Sequence, residues 1–433
     1  MRTREGIRPK SSRRTARMVF GTACLVVCLV PPGFAGSEAG TDLARSAKTR
    51  LSAPPAAEAR VPELVEGNTE FALRLYRELL ETGENLVLSP HGLSIGLAAA
   101  YAGARGETER QMADALRFGL PHEQLHRAFN ALDQSLAGRG EGLDERSFRL
   151  RLAAALWAEE GHELRDSYLD ILAGEYGAGV RAVDFARPEE ARRAINGWAV
   201  EKTAGRVGDL LPPGSIDRET ALVLTQAVFF RAAWAASFPE AATREAPFDL
   251  LEGGTANVPM MSQLAELEYA ERDGVQAIGI PYFGNEVSMV ILLPERGSFA
   301  AFAAELDAGE LNTILGEMKP AFMRFEMPKF RVDSGLGLRN ALMELGMIDA
   351  FGAADFSGMD GTRELFIDDV FQGASIRVDE AGTEAAAAGA VVMKRKGAPP
   401  EREVRVDRPF LFLIRDIETG AILFLGHVVN PEA

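Results

Sequence analysis

Three short runs of residues in this 433-residue chain have types and spacings that could do chemistry. His122-Glu123-Gln124-Leu125-His126 matches H-E-x-x-H, in which two imidazoles one helical turn apart hold zinc beside a glutamate base. Gly92-Leu93-Ser94-Ile95-Gly96 matches G-x-S-x-G, the strained turn that presents a nucleophilic serine. Lys394-Arg395-Lys396 is a dense basic run in a chain that has seven Lys against forty Arg. Each needs a particular scaffold, so the surrounding elements decide whether its chemistry is available.

For the first run they argue against it. No H-x-x-G-x-x-H continuation follows His126, no local pattern supplies a third ligand, and Pro121, Phe129 and Leu132 fit an ordinary surface helix. His122 and His126 are therefore expected at the surface without a metal, and a zinc metalloprotease stays a remote alternative. The second run fares no better as a serine hydrolase. Ser89-Pro90 already signals a helix start, with serine as cap and proline at the first helical position, which puts Ser94 in the second turn among Leu93, Ile95 and Leu97. His427 and Asp416, in a C-terminal hairpin, make an unpersuasive base and orienter.

Helical signals dominate the first half of the chain. Asn68 is placed to cap a helix carrying Phe71, Leu75, Tyr76 and Leu79 on one side, with Gly83 to end it. Residues 149–157, 221–230, 287–293, 322–332 and 365–378 read as strands, and 410–414 with 421–425 as a hairpin turning at Thr419-Gly420. Helices first and strands later predict an α+β fold in one domain.

Composition narrows the partners. The chain has a net charge of −16, and its first 35 residues carry seven Arg or Lys against one Glu, so the remainder stands at −22. Such a body repels phosphate, which argues against nucleic acid or an anionic membrane as a partner. Basic residues from Arg2 to Arg17, an apolar stretch from Met18 to Val30 and small residues near Ala35 read as a signal peptide over 1–35 and predict a secreted protein, extracellular or periplasmic. Cys24 and Cys28 both fall in that segment, so the mature chain is expected to have neither disulfide nor thiol chemistry. Residues 36–60 lack apolar periodicity and read as a flexible linker, and the folded domain is expected over 61–433.

Between the strands ending near Val378 and starting near Val404 runs a connection long enough to suggest function. It has a small, proline-free part from Gly382 to Ala390, the basic run, and Gly397-Ala398-Pro399-Pro400, which continues neither strand nor helix. One reading is a flexible alanine-rich linker or a short exposed helix. The other is a bait: a trypsin-like protease cuts an exposed basic loop, and a run of small residues can slide into a sheet, with Thr383, Ala385, Ala387 and Gly389 facing one side. The residues by themselves leave both open.

A resemblance separates them. Asp379-Glu380-Ala381-Gly382-Thr383-Glu384-Ala385-Ala386-Ala387-Ala388 resembles the hinge of inhibitory serpins. Further runs similar to that family extend from about Val61 to Pro431, among them Asn85-Leu86-Val87-Leu88-Ser89-Pro90, Asn196-Gly197-Trp198, Phe229-Phe230 with Trp234 and Phe238, Pro328-Lys329-Phe330, and Phe424-Leu425-Gly426-His427-Val428-Val429-Asn430-Pro431. The resemblance implies a single serpin-like domain, with helices on a large mixed or antiparallel sheet, smaller sheets, and an exposed reactive-centre loop at about 380–403. It implies no catalytic group, no cofactor, a monomer, and a covalent complex with a trypsin-like serine protease. Residue by residue, Glu380 opens the hinge, Gly382 and Thr383 start the insertion, Glu384 belongs to the same hinge, and Ala385, Ala386, Ala387 and Ala388 form the small stretch. The reactive bond falls at Lys396 to Gly397, with Arg395 to Lys396 as the second choice.

In the region that gates sheet opening, around Ser89, the chain departs from the family. Gly92 stands where serpins commonly have a second serine, Gln226 where they have asparagine, and Gln372 where they have histidine. Gln226 and Gln372 are expected to pair through their amides. These changes bear on how readily the sheet opens, and they keep a non-inhibitory serpin, serving as a binding protein, as the alternative function.

Overall fold

Helix boundaries follow the apolar stripes more closely than the cap signals. The first helix, α1 (Val61–Glu78), has proline in its first turn, where no backbone donor is needed, and buries Val61, Leu64, Phe71, Leu75 and Tyr76 along one face. Asn68, expected as the cap, lies inside this helix and is buried, because the stripe reaches back to Val61. The helix also stops at Glu78, short of Gly83. α2 (Pro90–Tyr101) starts where Ser89-Pro90 predicts, and all its residues but Ile95 are buried, which makes it a core helix. α3 (Gly106–Leu116), α4 (His122–Ala137), α5 (Asp166–Ile171), α6 (Pro188–Lys202), α7 (Phe299–Glu305), α8 (Ala308–Glu317) and α9 (Arg339–Glu344) complete the helices.

The computed structural model describes residues 43–80, 83–144, 147–384 and 400–432, which belong to one compact unit. Among them the strands form two sheets. In spatial order the first contains β1 (Leu43–Ala44), β4 (Val180–Val183), β3 (Phe148–Glu159), β5 (Leu222–Ala233), β13 (Gly382–Thr383), β12 (Ile367–Val378) and β11 (Phe330–Gly337). The second runs β14 (Arg402–Arg405), β10 (Lys319–Pro328), β7 (Thr255–Arg272), β8 (Val275–Pro281), β9 (Val287–Pro294), β15 (Phe410–Asp416), β16 (Ile422–Val428) and β2 (Leu86–Leu88), with β6 (Arg244–Asp249) paired to β7. The first sheet is mixed: β5 and β12 run parallel, as do β3 and β4.

Alternation along β5 layers the molecule. Leu222, Leu224 and Val228 point to the large core that holds α2, whereas Val223 and Ala227 point to a second cluster in which Ile195, Trp198 and Ala199 of α6 meet Trp157. The first sheet is thus sandwiched between α2 and α6. This is the expected α+β architecture.

Three expectations about extents need correction. The expected linker is tied to the body from Leu43 onward: β1 pairs with β4, Leu51 donates to the Gly174 carbonyl, and Arg50 meets Asp133 of α4 at 2.6 Å. Polar and charged side chains, which carry no apolar periodicity, anchor much of this stretch. Residues 322–332 are also two strands and not one, since Pro328 ends β10 in the second sheet and Phe330 begins β11 in the first. Finally, the expected loop is shorter than 380–403, because Glu380 and residues 382–384 are buried in and beside the first sheet, with Ala381 half-buried between them, and Arg402 and Glu403 belong to β14.

Candidate functional site

The hinge is built where β12 turns back on itself. Asp379 and Gly382 exchange backbone hydrogen bonds of 3.0 and 3.3 Å, and the Asp379 carboxylate accepts from the Ala381 amide. The chain then returns as β13, wedged between its own strand and β5: Thr383 pairs with Val378 on one side and Ala232 on the other. Gly382 is required here. Its φ is +153°, and a Cβ would stand 2.7 Å from Ala233 Cα, inside the backbone of β5.

Aromatic rings and one ion pair hold the turn. Trp234 stacks on Tyr282 at 4.5 Å, donates through its indole to the Asp379 carbonyl and through its amide to the Ala381 carbonyl. Tyr282 and Thr383 share a buried hydroxyl hydrogen bond of 2.6 Å. Glu380 accepts from Thr243 and pairs with Lys329 at 2.7 Å. Burial works against its charge, but the hydrogen bonds from Lys329 and Thr243 outweigh it and hold the Glu380 pKa below the ordinary value. Lys329 is the residue between β10 and β11, so the switch of sheets is what delivers its ammonium to the hinge.

Glu384 closes the described part of the hinge. Its φ of +50° lies in the left-handed region, costly for a residue with a Cβ, and marks where the chain leaves the sheet. Its side chain is only 2% exposed and meets Arg206 at 3.0 Å. Burial raises its pKa, and Arg206 only partly offsets this. Ala385, Ala386, Ala387, Ala388, Arg395, Lys396 and Gly397 lie outside the described residues.

Below the hinge, β5 and β12 touch directly through seven register pairs, from Ile367 opposite Leu222 to Ala374 opposite Val228. Gln372 and Gln226 face each other in this seam, both with zero exposure, and their side-chain amides are hydrogen-bonded as expected, Gln372 donating. Gln372 also brackets the backbone of Ser89, accepting from its amide at 2.9 Å and donating to its carbonyl at 3.0 Å. Gly92 lies in the first turn of α2, against the Gln226 amide. The four residues singled out around the sheet opening, Ser89, Gly92, Gln226 and Gln372, therefore form one buried cluster. Sequence reading missed Thr243, Tyr282, Lys329 and Arg206 as hinge partners. Of these, only Lys329 carried a signal, as the middle residue of Pro328-Lys329-Phe330.

The two enzyme-like motifs are scattered. His126, expected at the surface, is 2% exposed and bonds Tyr176 through Nδ1 at 2.6 Å, because the apolar face of α4 buries it with Phe129. Burial lowers its pKa to about 3. His122 is half-buried with its ring edge-on to His126, Glu123 and Gln124 are exposed, and Leu125 is in the core. Among the described residues no group of three or more His, Cys, Asp or Glu is placed to hold a metal. Ser94 is buried within α2. His427 uses both ring nitrogens on Tyr76 and the Glu84 carbonyl, and Asp416 is ion-paired with Arg139. No Ser-His-Asp relay is assembled from them.

A family model described as Serpin (serine protease inhibitor) matches residues 66–431. An uncharacterized serpin-like protein of Thermococcus kodakarensis is 38% identical over 379 residues, 87% of each chain. The leukocyte elastase inhibitor of Sus scrofa is 36% identical over 382 residues, covering 85% of this chain and 100% of that one. Among solved structures, the thermophilic serpin tengpin in its native state matches with a TM-score of 0.79 at 27% identity, over 89% of this chain and 97% of that one. A hinge seated between two sheet strands, over a fold and sequence matched this extensively, has one consequence: the chain belongs to the serpin family, whose members are generally protease inhibitors and not catalysts.

Proposed function

We propose that this serpin is a suicide-substrate inhibitor of trypsin-like serine proteases, cleaved between Lys396 and Gly397, with Arg395 to Lys396 as the second choice. The observation that carries this reading is the docking of Gly382 and Thr383 at the top of the β5–β12 seam. A strand that continued downward from Thr383 would part seven parallel register pairs and replace them with antiparallel pairing on both sides. Small residues suit that route, and Ala385 to Ala388 follow the hinge directly.

Chemically, the protease serine attacks the Lys396 carbonyl carbon, the peptide bond to Gly397 breaks, and the new amine at Gly397 leaves with the C-terminal segment. An ester then joins Lys396 to the enzyme. Water would ordinarily hydrolyse it. Insertion of about 14 residues at ~3.3 Å each would carry the attached protease some 45 Å before that happens. The chain supplies no catalytic group, and inhibition depends on insertion outrunning deacylation. The basic and apolar N-terminal segment supports secretion, where such proteases would be met.

Mixing the purified protein with trypsin tests the proposal. A protein–protease band that survives denaturant, and a released fragment beginning at Gly397 or Lys396, are expected. Simple cleavage without a covalent band would favour the non-inhibitory reading, and a fragment beginning elsewhere would reject the assigned bond.

A further inference from the structure

Two side chains of α4 have no part in the inhibitory reading. His122 and His126 stand one helical turn apart on one face of the helix, with ring centroids 4.6 Å apart and planes at 81°. Tyr101 packs against both rings, at 5.0 and 6.3 Å, and Tyr176 against His126 at 5.7 Å. The Nε2 atoms of both histidines are shielded from solvent and have no hydrogen-bond partner among the described residues. Two such nitrogens unmet in an aromatic setting are costly, and a ligand, ion or water is what usually satisfies them.

The surroundings select among these. Nδ1 of His126 is engaged by the Tyr176 hydroxyl at 2.6 Å. With Nδ1 donating to that oxygen, Nε2 carries the free lone pair, and an outer hydrogen bond of this kind is what fixes the tautomer of metal-bound histidines. Burial chiefly, with His122 and Arg105 adding to it, lowers the His126 pKa to about 3, so that lone pair is free of a proton at neutral pH. Two imidazoles sharing one metal at about 2.1 Å from each nitrogen set their ring centres roughly 4.5 to 5.5 Å apart, a range that contains the observed 4.6 Å. Among the described residues no carboxylate joins the pair in a group of three. Tyr101 stays protonated, its pKa pushed up to about 12 chiefly by burial. Nitrogen donors without carboxylates suit late first-row divalent ions and not calcium or magnesium.

We propose that His122 and His126 form a two-histidine site for a divalent transition metal such as Zn²⁺, Ni²⁺ or Cu²⁺, with buried His126 as the inner ligand and His122 as the outer one. His122 suits that role because it is half-buried in the first turn of α4. The remaining coordination positions fall to water or small solutes, so the site binds more weakly than a closed four-ligand centre. It is not the hydrolytic centre that H-E-x-x-H suggests. Glu123, which would be the base, is exposed and lies off the helix face that carries both histidines.

The test is titration calorimetry and thermal unfolding of the full chain, made without a histidine tag and with Cys24 and Cys28 alkylated so that thiols cannot take the metal. Ni²⁺ and Zn²⁺ should each bind saturably at one site per chain, and excess Mg²⁺ should not displace them. At about 100 times its dissociation constant the metal should raise Tm by roughly 3 °C. His122→Gln and His126→Gln should each remove this shift and weaken binding by about tenfold or more, the loss that even an outer-shell partner causes. His122→Gln keeps the test decisive should the buried His126 variant fail to fold. No saturable binding by the wild type, or unchanged binding by His122→Gln, would overturn the proposal. None of these readouts uses a protease, so they stand whether or not the protein traps trypsin.

Discussion

Glu380 and Glu384 lie four residues apart and titrate in opposite directions, because their surroundings differ. Burial opposes charge at both. Glu380 more than recovers it from an ammonium and a hydroxyl at 2.7 Å, whereas Glu384 faces Arg206 without an aligned hydrogen bond, with Arg231, Arg331 and Asp333 further away. The signs set separate pH windows. Glu380 has a lowered pKa, so its contribution to hinge docking is present above the ordinary glutamate value of 4.5 and is lost as pH falls through its depressed value. Glu384 has a raised pKa, so its contribution is full below 4.5 and is lost as pH rises through the raised value. Above 4.5 only Glu384 weakens docking. Protection of the Glu384 amide, which donates to the Arg377 carbonyl at 2.8 Å, should fall between pH about 4.5 and neutrality after correction for intrinsic exchange. Glu384→Gln should flatten that profile and Arg206→Ala should steepen it. Identical profiles in all three proteins would reject the idea. The hinge residues themselves were legible as a contiguous run. Their partners were not, since Thr243 and Lys329 come from elements far away in sequence and nothing local marks an ion pair closed by tertiary folding.

The hinge strand β13 is only two residues long, yet it joins β5 to β12 above their direct contact. Thr383 was expected to be among the first residues to enter the sheet on cleavage, and it occupies the sheet in the uncleaved chain. Replacing it with Arg should therefore act twice, undocking the hinge and obstructing insertion. A guanidinium in place of the Thr383 hydroxyl, beside Tyr282 and with zero exposure, would be desolvated without a partner at a cost of several kcal/mol. Each ~1.4 kcal/mol on the insertion barrier slows that step about tenfold, so deacylation should win and the variant should be consumed as a substrate at the same bond. Titrating trypsin with each protein checks this: near-stoichiometric trapping by Thr383→Arg would rule out insertion in this register. Strands with strong apolar runs, such as β5, β9 and the β15–β16 hairpin, were legible from sequence. The break at Pro328 was not, because Phe322 to Val332 stays apolar enough to read as one strand while the chain passes from one sheet to the other. Nor were β6 and β7, whose patterns mix exposed and buried residues, or β8, a mostly buried run without alternation.

At the scale of the whole molecule, the first sheet holds a parallel seam between β5 and β12 in a mostly antiparallel neighbourhood, with a hairpin strand already started above it. Extending β13 down the seam would give every residue of the new strand two antiparallel neighbours, and bury small side chains between α2 and the helix α6 layer. In the uncleaved chain the bait segment is tethered at both ends, to β13 at Thr383 and to β14 at Arg402, so this change would first require β14 to leave the second sheet. A single cut removes the second tether. Cleavage of the bait, by any protease that is not itself trapped, should therefore stabilise the protein although it breaks a peptide bond. Unfolding entropy of about 2 cal/mol/K per residue means that each 1 kcal/mol gained raises Tm by roughly 1 °C in a chain of this size. A net gain of ~1 kcal/mol for each of about 14 inserted residues would raise Tm by roughly 14 °C. Calorimetry before and after limited proteolysis, with the cut located by mass spectrometry, measures the shift. A cut between Ala390 and Pro400 that leaves Tm unchanged or lowers it would mean that the severed segment stays outside the sheet, and the trapping mechanism would lose its driving force.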